Sequence, residues 1–253
     1  MKNKMTFNFL SLGLCLFLFV GCGEKKVESD KEALVVITSP DNPPFEFKDT
    51  AKGGDKVIGF DMDVIQKLSE YLGRPIQIVE ADFASLIPSL QSGRADMAIS
   101  ELAPTEERRK SVDFSNPYYS NTSALIVPQN SSITSENDLQ GQKLGVQLGS
   151  TNEITGRKLA EKIPHITLLS LSKVGNLVQE LKSGRIQAAL VAGAVAKKVT
   201  KSTPGLKVVK INIPPEELVI VFPKGSPHVA SINEALEKIK GDIKDIESRW
   251  ITL

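Results

Sequence analysis

Hydrophobic residues fall along this chain in short blocks of two kinds that alternate. Runs such as ALVVIT (33–38), PIQIVE (75–80), KLGVQL (143–148) and ITLLSL (166–171) are compact and rich in β-branched residues, as strands are. DMDVIQKLSEYLG (61–73) and STNEITGRKLAEKI (150–163) instead space their apolar positions at helical intervals. LIPSLQSGRADMAIS (86–100) and LVQELKSGRIQAALV (177–191) match in register at Leu86/Leu177, Leu90/Leu181, Ser92/Ser183, Gly93/Gly184, Arg94/Arg185 and Ala98/Ala189. Each reads as a short amphipathic helix, a glycine suited to a left-handed helix end, and an apolar strand. The chain therefore builds one kind of unit twice. Strands alternating with helices over short connections predict parallel sheet covered by helices, and two such units predict an α/β protein of two lobes.

Ligands of open parallel sheets gather at the carboxyl ends of the strands. That rule selects five segments: SPDNPPF (39–45), ADF (81–83), ELAPTEER (101–108), GST (149–151) and AGA (192–194).

Within ELAPTEERRK, Thr105 is a natural N-cap, and Glu106 and Glu107 suit the positive end of a helix. Glu106 can pair with Arg109 or Lys110, which leaves Arg108 as the cation with no acid on its own helix. An anion gripped at the helix start would explain that arginine, and a solvated guanidinium or a tertiary salt bridge would explain it otherwise. Ser150 to Glu153 form a capping box that serves equally as a purely structural cap or as a second anion-accepting helix start. Pro43 and Pro44 stiffen a turn that brings Ser39, Asp41 and Asn42 near a strand end. Phe83 stands just past a strand, where stacking on a ligand and packing in the core are both open; Phe45 and Trp250 read as packing. His165 reads as a surface residue between helix and strand, and KGGDK (52–56) as a hairpin-like loop.

Composition narrows the chemistry. Both cysteines, Cys15 and Cys22, fall in the leading apolar segment, and the two histidines are His165 and His228, so zinc sites and Ser-His or Cys-His nucleophilic pairs are nearly excluded. No phosphate-cradling or dinucleotide glycine motif occurs, and neither a cofactor nor a metal is expected. Residues 1–21 place Lys2 and Lys4 before an apolar run from Phe9 to Val20, the pattern of an export signal. Its ending, FVGC, resembles the lipobox of bacterial lipoproteins, in which Cys22 would carry lipid as the first mature residue. Phe19 stands where leucine is usual. Residues 22–33 read as a tether. The net charge of +1 includes Lys2 and Lys4, so from Cys22 onward it is 1 minus 2, or −1, which gives nucleic acid no basis as a partner.

NPPFEF, VIGFDMDV, ADFASLIPSLQSGRADMAIS, PTEERRKSVDFSNPYY and LQGQKLGVQLGST, in that order, resemble the extracytoplasmic amino-acid-binding proteins of bacterial ABC importers. The resemblance runs from about residue 34 to the end. It implies the periplasmic binding protein type II fold, a clamshell whose chain crosses between lobes twice, at 118–122 and 214–218. Lobe 1 would then be 34–117 plus 219–253, and lobe 2 would be 123–213. It further implies that Arg108 binds a ligand α-carboxylate with help from Ser150 and Thr151, that Phe83 is the pocket aromatic, and that no covalent chemistry occurs. The full expected binding set is Arg108, Ser150, Thr151, Phe83, Ser100, Glu101, Ala103, Asn42, Ser39 and Asn152.

Two departures stand out. Such proteins usually place an acid for the ligand's α-ammonium after the strand of the second repeat, where this chain has Ala192 and Gly193. Glu101, where relatives commonly carry glycine or serine, is a candidate substitute from the other lobe. The family's early aromatic is also replaced, by Asn42. The expected function is capture of a polar amino acid by a monomeric, lipid-anchored protein that delivers it to a membrane permease. Asp41 and Glu101 lean the choice toward a basic ligand such as arginine or lysine. The alternatives are an exported cyclohexadienyl or prephenate-type dehydratase with Glu101 as its acid, and a ligand sensor.

Overall fold

The computed structural model describes residues 32–49 and 54–252, so the expected signal (1–21), Cys22 and nearly all of the expected tether (22–33) lie outside the described residues. In chain order the first half runs β1 (Leu34–Thr38), β2 (Asp41–Asn42), β3 (Glu46–Lys48), β4 (Val57–Ile58), α1 (Phe60–Leu72), β5 (Ile76–Glu80), α2 (Leu86–Gln91), β6 (Met97–Ala98), α3 (Glu106–Arg109), β7 (Val112–Phe114) and β8 (Tyr119–Asn121). The second runs β9 (Ser123–Pro128), β10 (Lys143–Gln147), α4 (Thr151–Lys162), β11 (Thr167–Leu171), α5 (Val174–Lys182), β12 (Ala188–Ala192), α6 (Gly193–Ser202) and β13 (Leu206–Lys210). β14 (Glu216–Leu218), β15 (Val221–Pro223), α7 (His228–Lys238) and α8 (Lys240–Trp250) complete it.

The sequence repeat is a topological repeat. One sheet has the order β5-β1-β6-β15-β7 and the other β11-β10-β12-β9-β13. In each, the first three strands are parallel, as expected for strand-helix alternation, and the remaining pairings are antiparallel. The repeated leucines bury alike: Leu86, Leu90, Leu177 and Leu181 are all 2% exposed or less. Gly93 and Gly184 close the two helices at φ +71° and +72°. In α1, Phe60, Met62, Val64, Ile65 and Leu68 give the buried face. It packs with Leu34, Val36, Met97 and the C-terminal residues Ile232, Leu236 and Ile246.

Each crossing of the chain carries an antiparallel strand to the opposite sheet. β9 follows the first crossing into the second sheet, and β15 follows the second back into the first. Between them β8 and β14 pair antiparallel, with Asn121 opposite Glu216 and Tyr119 opposite Leu218. The two lobes are thus joined by a two-stranded ribbon.

Elsewhere the expected boundaries moved by a residue or two. The apolar strand of the first repeat pairs only at Met97–Ala98, and beyond it the Ser100 hydroxyl turns to Glu46. Residues 54–56 lead into β4, which pairs with β3, and residues 52 and 53 of the expected loop lie outside the described residues. Trp250 packs edge-on to Phe47 and donates its indole N–H to Asp63 at 2.8 Å. Phe45 is fully buried against Phe60. Among the described residues no helix is long and apolar enough to cross a membrane.

Gly59 opens α1 at φ +133°, and a Cβ there would overlap the Phe45 carbonyl and come within 2.8 Å of the Pro44 oxygen. Gly59→Ala combines a backbone region closed to L-residues with a clash on backbone that cannot yield. It should lower unfolding free energy by at least about 2 kcal/mol, read from urea midpoints, whereas alanine at exposed Gly175 should change it by less than about 0.5 kcal/mol.

Candidate functional site

The one-turn helix α3 begins as its sequence dictates. Thr105 accepts from the Arg108 backbone N–H at 3.1 Å, Arg109 pairs with Glu106 at 3.6 Å, and Lys110 takes Glu107 at 2.7 Å. Among the described residues Arg108 is left without a carboxylate in contact. Its side chain is 9% exposed and turned inward, with Nη1 donating to the Ala103 carbonyl at 2.7 Å. Nη2 donates across the cleft to the Gly149 carbonyl at 3.1 Å, and the guanidinium lies 5.7 Å from the Phe83 ring centre. A helix of one turn adds little dipole, so positive potential here comes from the guanidinium itself. Burial pulls its pKa down to about 10, partly offset by the charge of Glu216, and it stays protonated at neutral pH.

Facing it, the β10–α4 turn presents Gly149, Ser150 and Thr151. Ser150 caps α4 by accepting from the Glu153 N–H at 3.1 Å. The expected reciprocal bond reaches one residue further than a capping box does, since Glu153 accepts from the Gly149 N–H at 2.7 Å. The other Glu153 oxygen takes Arg157 and, at 2.8 Å, the Ser170 hydroxyl. The acid of the box is therefore consumed locally. Thr151 points the other way and donates to Glu216 at 2.6 Å.

Between the lobes lies a polar cavity lined by Asn42, Phe83, Glu101, Arg108, Ser150, Thr151 and Asn152, with Asn121, Gln147 and Glu216 added by the ribbon and β10. It leaves about 30 Å³ reachable by the centre of a water-sized sphere, so its own side chains nearly fill it. Seven of the ten expected binding residues are in that wall. Ser39, Ser100 and Ala103 are not: the Ser100 hydroxyl donates to Glu46 at 2.8 Å and accepts from the Ser39 N–H at 3.1 Å, while Ala103 offers its carbonyl to Arg108. Phe83 is both wall and core, 8% exposed and packed among Leu86, Leu90 and Val219.

Asp41 does not face the cavity as a free acid. It accepts from the Ser39 hydroxyl at 2.8 Å, from Gln147 at 3.2 Å and from the Val174 N–H at 2.7 Å. Val174 begins α5, so Asp41 of one lobe caps a helix of the other. Its expected leaning toward a cationic ligand is replaced by a clasp between lobes. The local sequence SPDN carries no sign of a partner 133 residues away.

Glu101 is the strained member of the set, with φ +46°. A non-glycine residue there costs on the order of 1 kcal/mol. Its N–H is held by Asp61 at 2.9 Å, and its carboxyl by Asn42 at 2.6 Å and Asn121 at 3.0 Å. Burial pushes its pKa up to about 8; both amides pull the other way, and Asp61 and Glu216 add to the rise. Asp61 is likewise raised by burial, to about 6, although it accepts from the Glu101 N–H and from Tyr118 Oη at 2.8 Å. Glu46, fully buried beside them, is raised well above the usual range by burial and by the neighbouring acids. Its Oε2 finds no hydrogen-bond donor. Among the described residues no group of three His, Cys, Asp or Glu is placed to hold a metal.

Glu216, Asn121, Gln147 and Ser123 were not singled out in the sequence. A signal existed for the first two, because crossing segments border the cleft and these are polar residues inside them.

Two α/β lobes of like topology, joined by two crossings and closed on a polar cavity, define a type II periplasmic binding protein. The chain belongs to the bacterial extracellular solute-binding proteins, family 3, whose model matches residues 34–253. The arginine-binding extracellular protein ArtP of Bacillus subtilis (strain 168) is 35% identical over 96% of each chain. Among solved structures, an ancestral arginine-binding protein bound to arginine superposes with TM-score 0.81 at 39% identity, covering 86% of this chain and 97% of its own. The ancestral amino acid-binding protein AncCDT-1, a precursor of cyclohexadienyl dehydratase, gives TM-score 0.79 at 30% identity over 87% of this chain and 95% of its own. The family is one of binding proteins, in line with the expectation that the chain is not an enzyme.

The buried acids set a pH dependence of stability. Asp61 and Glu101 have folded pKa values above their ordinary ones, so the folded protein binds more protons than the unfolded chain between about pH 4 and about pH 8. Their contribution is fully present at the acid end of that window and fades as pH rises through about 6 and then about 8. Each such group steepens the loss by up to about 1.4 kcal/mol per pH unit. Thermal midpoints should therefore slope downward from about pH 5 to about pH 8, and Glu46→Gln with Glu101→Gln should flatten the slope.

Proposed function

We propose that this protein captures an amino acid with a positively charged side chain and hands it to the permease of an ABC importer. The observation that carries the reading is Arg108, a charged guanidinium buried at the cleft with two carbonyls and an aromatic face around it and no carboxylate in contact. A ligand carboxylate supplies the missing partner, gripped with the Ser150 and Thr151 end of α4.

Charge balance favours a basic ligand. With Glu101 ionised, as it must be to receive a cation, the cavity wall carries one cation, Arg108, and two anions, Glu101 and Glu216. An amino acid brings one negative and one positive charge of its own, so a second positive charge is what neutralises the closed site. The B. subtilis relative and the ancestral structure, both arginine-binding by their names, support the same choice.

Entry of a ligand requires the lobes to part, because the cavity is nearly filled when Arg108 reaches Gly149 and Asp41 reaches Val174. The β8–β14 ribbon, with 118–122 and 214–218 around it, is the proposed hinge, and 34–117 plus 219–253 and 123–213 are the bodies it swings. Cys22 as the lipid-bearing first mature residue, 1–21 as signal, 22–33 as tether and a monomeric state belong to the same reading. Their support is the sequence pattern. A dehydratase would need Glu101 as a proton donor; its held proton suits that role, but both carboxyl oxygens are already engaged by Asn42 and Asn121.

Calorimetric titration of residues 32–253 with L-arginine, L-lysine and L-glutamine tests the proposal. Tight binding of a basic amino acid is expected, and Arg108→Ala should weaken it at least about 30-fold, or about 2 kcal/mol. Equal binding by wild type and variant removes Arg108 from the site. Glu101 must give up its proton to receive a cation. Affinity for L-arginine should therefore rise about tenfold per pH unit up to about pH 8 and then level, with proton release on binding.

A further inference from the structure

An α-ammonium enclosed between lobes needs an anionic acceptor, since an unpaired buried charge costs far more than any single contact returns. The end of β12, where Ala192 lines the cavity, offers none. The carboxylates in the wall are Glu101 and Glu216, and their positions differ.

Carboxylate and ammonium of an α-amino acid sit on one carbon. The acceptor for one must therefore lie beside the grip for the other. Thr151, the first residue of α4, touches Glu216 directly at 2.6 Å, and Arg108 feels the charge of Glu216. Arg108, Gly149, Thr151 and Glu216 thus form one continuous run across the cleft. Glu101 makes no bond to that run and is engaged instead by Asn42 and Asn121. Asn121 is also the register partner of Glu216 in the ribbon, which places it between the two acids.

Resting on the amino-acid reading above, we infer that Glu216, carried on the second crossing strand, is the residue that receives the ligand's α-ammonium, and that Glu101 faces the cation at the far end of the ligand. The consequence is a division of labour. Recognition of the α-amino group belongs to the ribbon that links the lobes, and the side chain is read from lobe 1. In the closed cleft the Thr151 hydroxyl occupies Glu216; a bound ammonium would compete for that carboxylate.

Two affinity ratios separate the roles. The first compares L-arginine with 5-guanidinopentanoate, its analogue without the α-amino group. The second compares L-arginine with L-citrulline, which is uncharged at the far end. Wild type should prefer L-arginine in both by at least about 30-fold. Glu216→Gln should collapse the first ratio to within about threefold and keep the second. Glu101→Gln should do the reverse, and Glu216→Asp should recover part of the first. A Glu216→Gln variant that keeps the first ratio, or lowers affinity for both arginine and its analogue equally, overturns the assignment while leaving the amino-acid reading in place. Wild type that binds no α-amino acid overturns both. If wild type prefers another amino acid, the first ratio is taken between that amino acid and its own des-amino analogue: collapse in Glu216→Gln supports the assignment, and persistence overturns it. Glu216 is only partly buried, so the variant should fold, and matching circular dichroism and thermal midpoints check it.

Discussion

A single guanidinium, held in the seam between two lobes by carbonyl oxygens, is the constraint around which the rest of this molecule is arranged. Arg108 is buried and charged, and its hydrogen bonds to Ala103 and Gly149 satisfy donors without neutralising charge. In a medium of low polarity that state is expensive unless an anion comes within reach. The lobes bring Phe83 over one side and the start of α4 opposite, so the space nearest the charge is bounded by an aromatic face and by hydroxyls.

The second constraint is the closure that makes the seam. Asp41 caps α5 from across the cleft and Gln147 joins it, while Gly149 packs so tightly on Ala84 that a Cβ there would lie 3.2 Å from its Cα. These contacts spread over both rims of the cavity. The ribbon is anchored into the same system from behind, because Tyr118 donates to Asp61, Asp61 holds the Glu101 N–H, and Glu101 is bonded to Asn121. The crossing segments and the cleft acids are therefore joined in one hydrogen-bonded system.

Three buried acids in one place would be a liability if all were ionised. Glu101 holds its proton to about pH 8, burial and its acidic neighbours raise Glu46 well above the usual carboxylate range, and Asp61 accepts from Tyr118 and a backbone amide. That arrangement also explains why a glutamate can stand at a left-handed position that favours glycine. The Asp61 bond to its N–H and the two asparagines on its carboxyl offset the backbone cost.

Much of this was legible in the chain of residues alone. The repeat around Gly93 and Gly184 determined two like lobes, because helix-glycine-strand units have one economical way to bury their leucines. Charge spacing along α3 singled out Arg108, because intrahelical pairing is local and can be counted. What only the tertiary structure decided depends on residues far apart in sequence. Asp41 turned from a candidate ligand for cations into a clasp because Val174 folds against it, and Ser39 and Ser100 became supports because Glu46 lies behind them. Glu216 became a cleft acid only through its register with Asn121 and its bond to Thr151. Local pattern determines which way a side chain points along its own element, but what waits there is settled when the second crossing strand returns the chain beside the first.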